Sequence, residues 1–129
     1  MKKLLLDTHA LLWWWSDEAL LPSRVRETIS DAEVTAFVSA ASAWEIATKV
    51  RLGRLTRYRD VVPRFDELAR AADLRHLPLT HRHGLRAGSY PNEHRDPFDR
   101  MLAAQAELES LTLVTRDEAF QDFPIQVLW

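Results

Sequence analysis

Five carboxylates in this sequence fall where stretches of regular structure begin or end: Asp7, Glu45, Asp96, Asp99 and Asp117. Asp7 closes an apolar run at residues 3–6. Asp117 sits just after a second such run at 111–115. Glu45 lies early in a helical stretch that follows a strand-like segment, and Asp96 and Asp99 open another helix. If the strands are parallel, these positions converge at the carboxyl edge of one sheet, where α/β proteins bind ligands. Carboxylates gathered at one edge repel each other unless a cation lies among them. Hard oxygen donors select Mg²⁺ or Mn²⁺. Ions held this way can activate a water and stabilise the leaving oxygen of a phosphodiester.

Each acid also has a plainer explanation. Ser42 and Glu45 have the spacing of a helix capping box. Asp96 before Pro97 reads as an N-cap, with Asp99 as the favourable acid of the first turn. Asp117 could cap a short final helix, and Asp7 could hold a turn through its own side chain. The chemical reading rests on all of them falling at one edge.

The elements that must position them can be read from periodicity. Residues 3–6, 34–38, 74–79, 111–115 and 125–128 read as strands, rich in apolar and β-branched side chains. Residues 9–15, 22–32, 39–52, 60–72 and 96–110 read as helices. Pro22 suits a first helical turn and Gly53 a helix end. A polar loop with one short helix is expected around Gly84, Gly88, Pro91 and Asn92. Alternation of strand and helix predicts an α/β fold with a mainly parallel sheet covered on both faces.

Composition narrows the field. The 129 residues suit a single domain over 1–129, 47% of them hydrophobic and 28% charged. Cysteine is absent, which excludes disulfides, thiolate zinc sites and cysteine nucleophiles. The apolar run after Lys2 and Lys3 is too short for a signal peptide, and no stretch approaches a membrane span. A cytoplasmic protein with no membrane partner is the expectation. The net charge is −2, so the chain as a whole is not a basic nucleic-acid binder. Yet 14 of the 17 basic residues are arginine, whose planar fork suits phosphate. Those at 51, 54, 57, 59, 64, 75, 82 and 86 form either a phosphate-binding surface or a solvated face.

Four pieces then stand in a familiar order. They are Leu4-Leu5-Leu6-Asp7-Thr8-His9, with Leu11-Leu12-Trp13 behind; Ser39-x-x-Ser42-x-Trp44-Glu45-Ile46; His94-Arg95-Asp96-Pro97-Phe98-Asp99-Arg100-Met101-Leu102-Ala103-Ala104-Gln105-Ala106; and Leu113-Val114-Thr115-Arg116-Asp117. In this order the chain resembles PIN-domain ribonucleases, and more narrowly the VapC-type toxins of toxin–antitoxin pairs. The resemblance implies a three-layer α/β/α sandwich around a mainly parallel sheet of four to five strands. It implies a Mg²⁺- or Mn²⁺-dependent endoribonuclease that hydrolyses RNA. Asp7, Glu45, Asp99 and Asp117 would form the acidic set, with Asp96 as a fifth member.

In that scheme Asp7 is the central metal ligand, completed by Asp99 and Asp117. Glu45 ligates or orients the attacking water. Thr8, Ser42 and Thr115 support carboxylates or bound waters. Arg100 and Arg116 either contact RNA phosphate or neutralise the acids. The resemblance also implies an antitoxin partner and a homodimer.

Other features are weaker. His81-x-His83 lacks a third ligand and makes a poor zinc signature. His9, beside Asp7, and His94, beside Asp96, could handle protons, but they read first as solvated loop histidines. Trp13-Trp14-Trp15 cannot all be buried on one helix face, so at least one is expected to be exposed or covered by a partner, either at a homodimer or antitoxin contact or as a lone exposed tryptophan. A phosphatase or a receiver domain needs an acid pair at the first strand's end, and a receiver adds a lysine at a later strand end. Here Asp7 is followed by Thr8 and His9, and the lysines are Lys2, Lys3 and Lys49. A non-catalytic PIN-like module that binds RNA or a protein remains the alternative, although no acid of the set is missing.

Overall fold

The computed structural model describes residues 2–129. The chain begins with strand β1 (Lys3–Leu6), whose side chains alternate between two cores. Leu4 and Leu6 enter one core and Leu5 the other, and all three are fully buried. A strand covered on both faces must be apolar throughout, and the Leu4-Leu5-Leu6 run meets that demand. Four more strands follow: β2 (Thr35–Ser39), β3 (Arg75–Leu77), β4 (Thr112–Val114) and β5 (Val127–Leu128). They form one parallel sheet in the order β3-β2-β1-β4-β5.

Among the described residues six helices cover it. Helices α1 (Thr8–Ser16), α2 (Ser23–Ser30) and α4 (Val61–Ala71) pack over Leu4, Leu6, Ala36 and Val38. Helices α5 (His81–Ser89) and α6 (Pro97–Leu108) pack over Leu5 and Leu113 on the opposite face. The result is the expected α/β/α sandwich. Helix α3 (Ala40–Arg51) bridges the layers, with Ile46 in the first core and Ala41 in the second.

The chain winds outward from β1 to β2 to β3, then returns to place β4 on the other side of β1. The order therefore reverses between β1 and β4, and a crevice opens outside the carboxyl ends of those strands. Asp7 follows one of them and Thr115 the other. The Asp7 N–H donates to the Val114 carbonyl at 3.0 Å, which carries the pairing to the lip of the crevice.

Most element boundaries match the sequence reading, with local differences. The one short helix expected within the polar loop is the nine-residue helix α5, which contains both Gly84 and Gly88. Its start is capped by Thr80, whose hydroxyl accepts from the His83 N–H, while His83 Nδ1 accepts from the Thr80 N–H. An imidazole here takes the place usually filled by Glu or Gln, so only Thr80 announces the helix start. The 52–60 connection contains a short 3₁₀ turn at Thr56–Tyr58. Helices α4 and α6 are each followed, two residues on, by a left-handed residue that is not glycine: Asp73 and Ser110, both with φ 56°. Gly53, φ 77°, plays the same part after α3. Among the described residues no helix is long and apolar enough to cross a membrane.

The tryptophans at 13–15 do not produce the expected exposed aromatic. All three are half-buried and packed against the first core. Trp15 meets Phe65 edge-on, and Trp13 meets Trp129. The exposed indole is Trp44, 51% accessible, which lies edge-on to Phe98 with ring centroids 4.5 Å apart.

Candidate active site

Asp7 lies where β1 ends and α1 begins. Its extended backbone lets one carboxylate oxygen, Oδ1, accept from the Ala10 N–H at 2.8 Å, so it caps α1 while lining the crevice. It is buried, 8% accessible. Burial pushes its carboxyl above the ordinary value, and the nearby Glu45 carboxylate pushes it further. The Thr115 hydroxyl, the Ala10 N–H and His9 partly offset this. A buried acid held partly against ionisation is a sign of a functional site.

Glu45 is carried over the same edge by α3. The helix is capped by Ser39, whose hydroxyl accepts from the Ala41 N–H at 2.9 Å. Glu45 is therefore six residues past the cap and cannot close the capping box that the Ser42 spacing suggested. Its carboxylate is instead buried and engaged at both oxygens. Thr8 donates to Oε1 at 2.5 Å and lies 3.0 Å from the Ser42 hydroxyl. Lys49, one turn on, pairs with Oε2. Buried charge is tolerated when paired and hydrogen-bonded, and this one is.

Asp96 and Asp99 divide the work at the start of α6. Asp96 is a true N-cap, with Oδ1 accepting from the Phe98 and Asp99 N–H groups at 2.9 and 3.4 Å. Asp99, three residues on, is largely buried and touches His94 Nε2 at 2.9 Å through Oδ2. Its carboxyl is pushed up to about 6, chiefly by burial. His94 opposes the rise, while the Asp96 and Glu45 carboxylates add to it. Of the two, Asp99 therefore stands within the field of Glu45. His94 is not the solvated loop residue expected: its ring packs against Phe120 and Phe123.

Asp117 caps the 3₁₀ turn Glu118–Asp122 through the Ala119 N–H at 2.9 Å, while its own N–H donates to Thr115 Oγ1 at 3.0 Å. It is exposed, and it lines with Asp7 a cleft of about 500 Å³ at the reversal point of the sheet. His9, Trp13, Arg116 and Glu118 complete that cleft. Asp7 is thus the common member of the site. It shares a cleft with Asp117 and a mutual field with Glu45, which in turn reaches Asp99.

The donor set suits a hard divalent cation. The Glu45 carboxylate adds to the raised proton affinity of both Asp7 and Asp99, which marks a place where positive charge would be stabilising. Among the described residues no three Asp, Glu or His side chains come close enough to enclose an ion by themselves. Mg²⁺ usually binds through one or two carboxylates and keeps several waters, so a complete protein cage is not required.

The two arginines part company. Arg100, expected at phosphate or at the acids, does neither. Its Nε, Nη1 and Nη2 donate to the carbonyls of Ala87, Tyr90, Asn92 and His94 at 2.7–3.0 Å. A guanidinium spent on four backbone acceptors is a clamp, and it fixes the segment that presents His94. Arg116 stays at the cleft, stacked over Trp13 at 5.0 Å. Arg86, counted among the surface cations, forks onto Glu107, which also accepts from the Tyr90 hydroxyl. Arg51, Arg54, Arg57 and Arg59 remain exposed. His83 is buried, with Nε2 facing Glu109 at 3.0 Å, and serves the fold.

The sequence reading overlooked three polar residues. Lys49 pairs with Glu45 from the next helical turn, a spacing that was visible. Gln105 is fully buried, meets the Ser39 hydroxyl through Oε1 and donates to the Pro78 carbonyl at 3.2 Å. It ties the ends of β2 and β3 to α6, a link between distant segments that has no local signal. His94 as the partner of Asp99 was hidden by the expectation of a loose loop.

The PIN domain family model matches residues 4–126. Solved structures share the fold. VapBC2 from Rickettsia felis, described as bound to a DNA fragment from their promoter, matches at 16% identity and TM-score 0.70, covering 98% of each chain. FitAcB from Neisseria gonorrhoeae matches at 24% identity and TM-score 0.66, covering 98% of this chain and 96% of that one. VapBC-1 from nontypeable Haemophilus influenzae matches at 16% identity and TM-score 0.73, with the same coverage. No curated protein sequence matches significantly.

Proposed function

The chain belongs to the PIN-domain family, and from that premise we propose that it is an endoribonuclease dependent on Mg²⁺ or Mn²⁺. The observation that carries this reading is the meeting of Asp7, Glu45 and Asp99 at one sheet edge, with Asp117 in the adjoining cleft. Asp7, Asp99 and Asp117 would hold the ion directly or through water. When bound, the ion supplies a Lewis acid for the phosphodiester and lowers the pKa of a coordinated water.

The chain's own groups then have distinct tasks. Glu45 orients the water, Thr8 fixes its carboxylate, and Ser42 holds the Thr8 hydroxyl. Thr115 steadies Asp7. Asp96 holds the first turn of α6 so that Asp99 faces the site, and His94 holds the Asp99 carboxylate in place. Arg116 is the cation at the cleft able to meet substrate phosphate.

The biological setting is proposed as the toxin half of a toxin–antitoxin pair in the cytoplasm. The support is likeness of fold to chains from VapBC complexes. An antitoxin would place a basic side chain in the acidic cleft. A homodimer is proposed from the family resemblance, and light scattering on the purified protein tests it.

The deciding experiment is cleavage of a broad RNA panel by purified protein. Activity with Mg²⁺ or Mn²⁺, lost in excess EDTA and lost in Asp7→Asn, supports the reading. Cleavage that persists in EDTA or in Asp7→Asn contradicts it. No cleavage, with no metal bound by calorimetry, favours a non-catalytic binding module.

A further inference from the structure

Asp7 and Asp117 form only part of the cleft at the reversal point; His9, Trp13, Arg116 and Glu118 form the rest. At about 500 Å³ the cleft falls within the size range of small-ligand sites. Carboxylates alone would need no flat aromatic surface beside them, yet one is built there. Trp13 is half-buried and held by its neighbours, with Trp129 at 5.9 Å and His9 at 5.7 Å between ring centroids. The Arg116 guanidinium stands 5.0 Å from the Trp13 ring centroid. Among the described residues it pairs with no acid and donates to no oxygen, although Asp117 is its neighbour in sequence. Its donors therefore remain open while the indole fixes its position.

We propose that this wall is a nucleotide subsite: a nucleotide flanking the scissile phosphate stacks its base against the layer formed by Trp13 and the Arg116 guanidinium above it, and gives its phosphate to the open N–H donors of Arg116. The assignment rests on the ribonuclease reading and deepens it. Flat indole and guanidinium surfaces accept any base by its π-face, so the Trp13–Arg116 pair positions the strand without reading its sequence. Guanidinium pairs with phosphate through two parallel N–H donors. A stacked, paired base has no free face, so the subsite takes an unpaired nucleotide. It also brings positive charge to a cleft wall that otherwise carries Asp7, Asp117 and Glu118.

The test uses oligoribonucleotides that the wild type cuts, with an abasic nucleotide placed on either side of the cut. One of the two positions is expected to lower wild-type kcat/KM about ten- to a hundred-fold, the worth of one stacked base. Trp13→Leu should lose a similar factor on the intact substrate and lose its sensitivity to the abasic position, and Trp13→Phe should recover most of both. Trp13 also packs on the core, so the exposed Arg116 gives a second handle. Arg116→Gln should flatten the dependence of log KM on log salt by about 0.7, one single-strand phosphate contact. If both variants keep the wild-type response to the abasic position and to salt while cleavage is otherwise intact, the subsite is wrong and the ribonuclease reading stands. If the wild type cuts no RNA with any divalent metal, both fall.

Discussion

Asp99→Asn should make the metal-free protein more stable, not less. Asp99 is largely buried, and its carboxyl is pushed from the ordinary 3.8 to about 6. At about 1.4 kcal/mol per tenfold, holding it ionised costs the fold up to about 3 kcal/mol above pH 7. The sign follows from linkage. A pKa raised on folding contributes stability that is complete below 3.8 and is lost as the pH rises through about 6. Asparagine has nearly the same shape and no charge to bury, and it forfeits part of the His94 hydrogen bond, worth about 1 kcal/mol. The net expectation in EDTA at pH 8 is a gain of about 1–3 kcal/mol, shrinking to near zero by pH 4. Urea unfolding of both proteins from pH 4 to pH 8 measures it. Mg²⁺ should narrow the gap by stabilising the wild type selectively, by about 2.7 kcal/mol at a hundred times its Kd. A variant less stable than wild type at pH 8 in EDTA, or a gap that does not change with pH, refutes the reasoning.

Other outcomes follow from particular contacts. Thr8→Val removes the donor to Glu45 Oε1 inside a buried cluster and should destabilise the protein by about 1–3 kcal/mol in urea unfolding. Arg100→Ala frees four backbone carbonyls. It should cost about 2–4 kcal/mol and raise amide exchange across residues 87–94, whereas unchanged exchange there would deny Arg100 its clamping role. Ser110→Gly relieves a left-handed residue after α6 and should raise stability by about 1 kcal/mol with cleavage unaltered.

Much of this arrangement is legible in the sequence because its signals are local. The three leucines before Asp7 announce a strand buried on both faces, and Asp96-Pro97 announces a helix start. Strand–helix alternation then sets the parallel sheet, and the sheet sets the edge at which the acids meet. What stays hidden depends on contacts between distant segments or on rare local chemistry. The Ser42 and Glu45 spacing mimics a capping box, but the helix read over 39–52 is capped at its own start by Ser39, which leaves Glu45 free for the site. The full length of helix α5 is disguised by two glycines and by an imidazole that closes its capping box in place of Glu or Gln. Arg100 reads as a free cation because nothing in its neighbourhood tells of four carbonyls folding back around it.

The same trade runs through the site. Asp7, Asp96 and Asp117 each cap a helix or turn, which was the plain explanation for them, and Asp7 and Asp117 also line the cleft. Capping and chemistry are compatible because a cap uses one carboxylate oxygen and leaves the other. Glu45 and Asp99 cap nothing, and their burial is the stronger sign of function.

The most direct test pairs Mn²⁺ calorimetry with RNA cleavage on the same samples of wild type and Asp7→Asn. The account predicts that wild type binds Mn²⁺ and cuts RNA, and that Asp7→Asn, still folded, loses both together. Cleavage by the wild type in excess EDTA, or undiminished cleavage by Asp7→Asn, would contradict it.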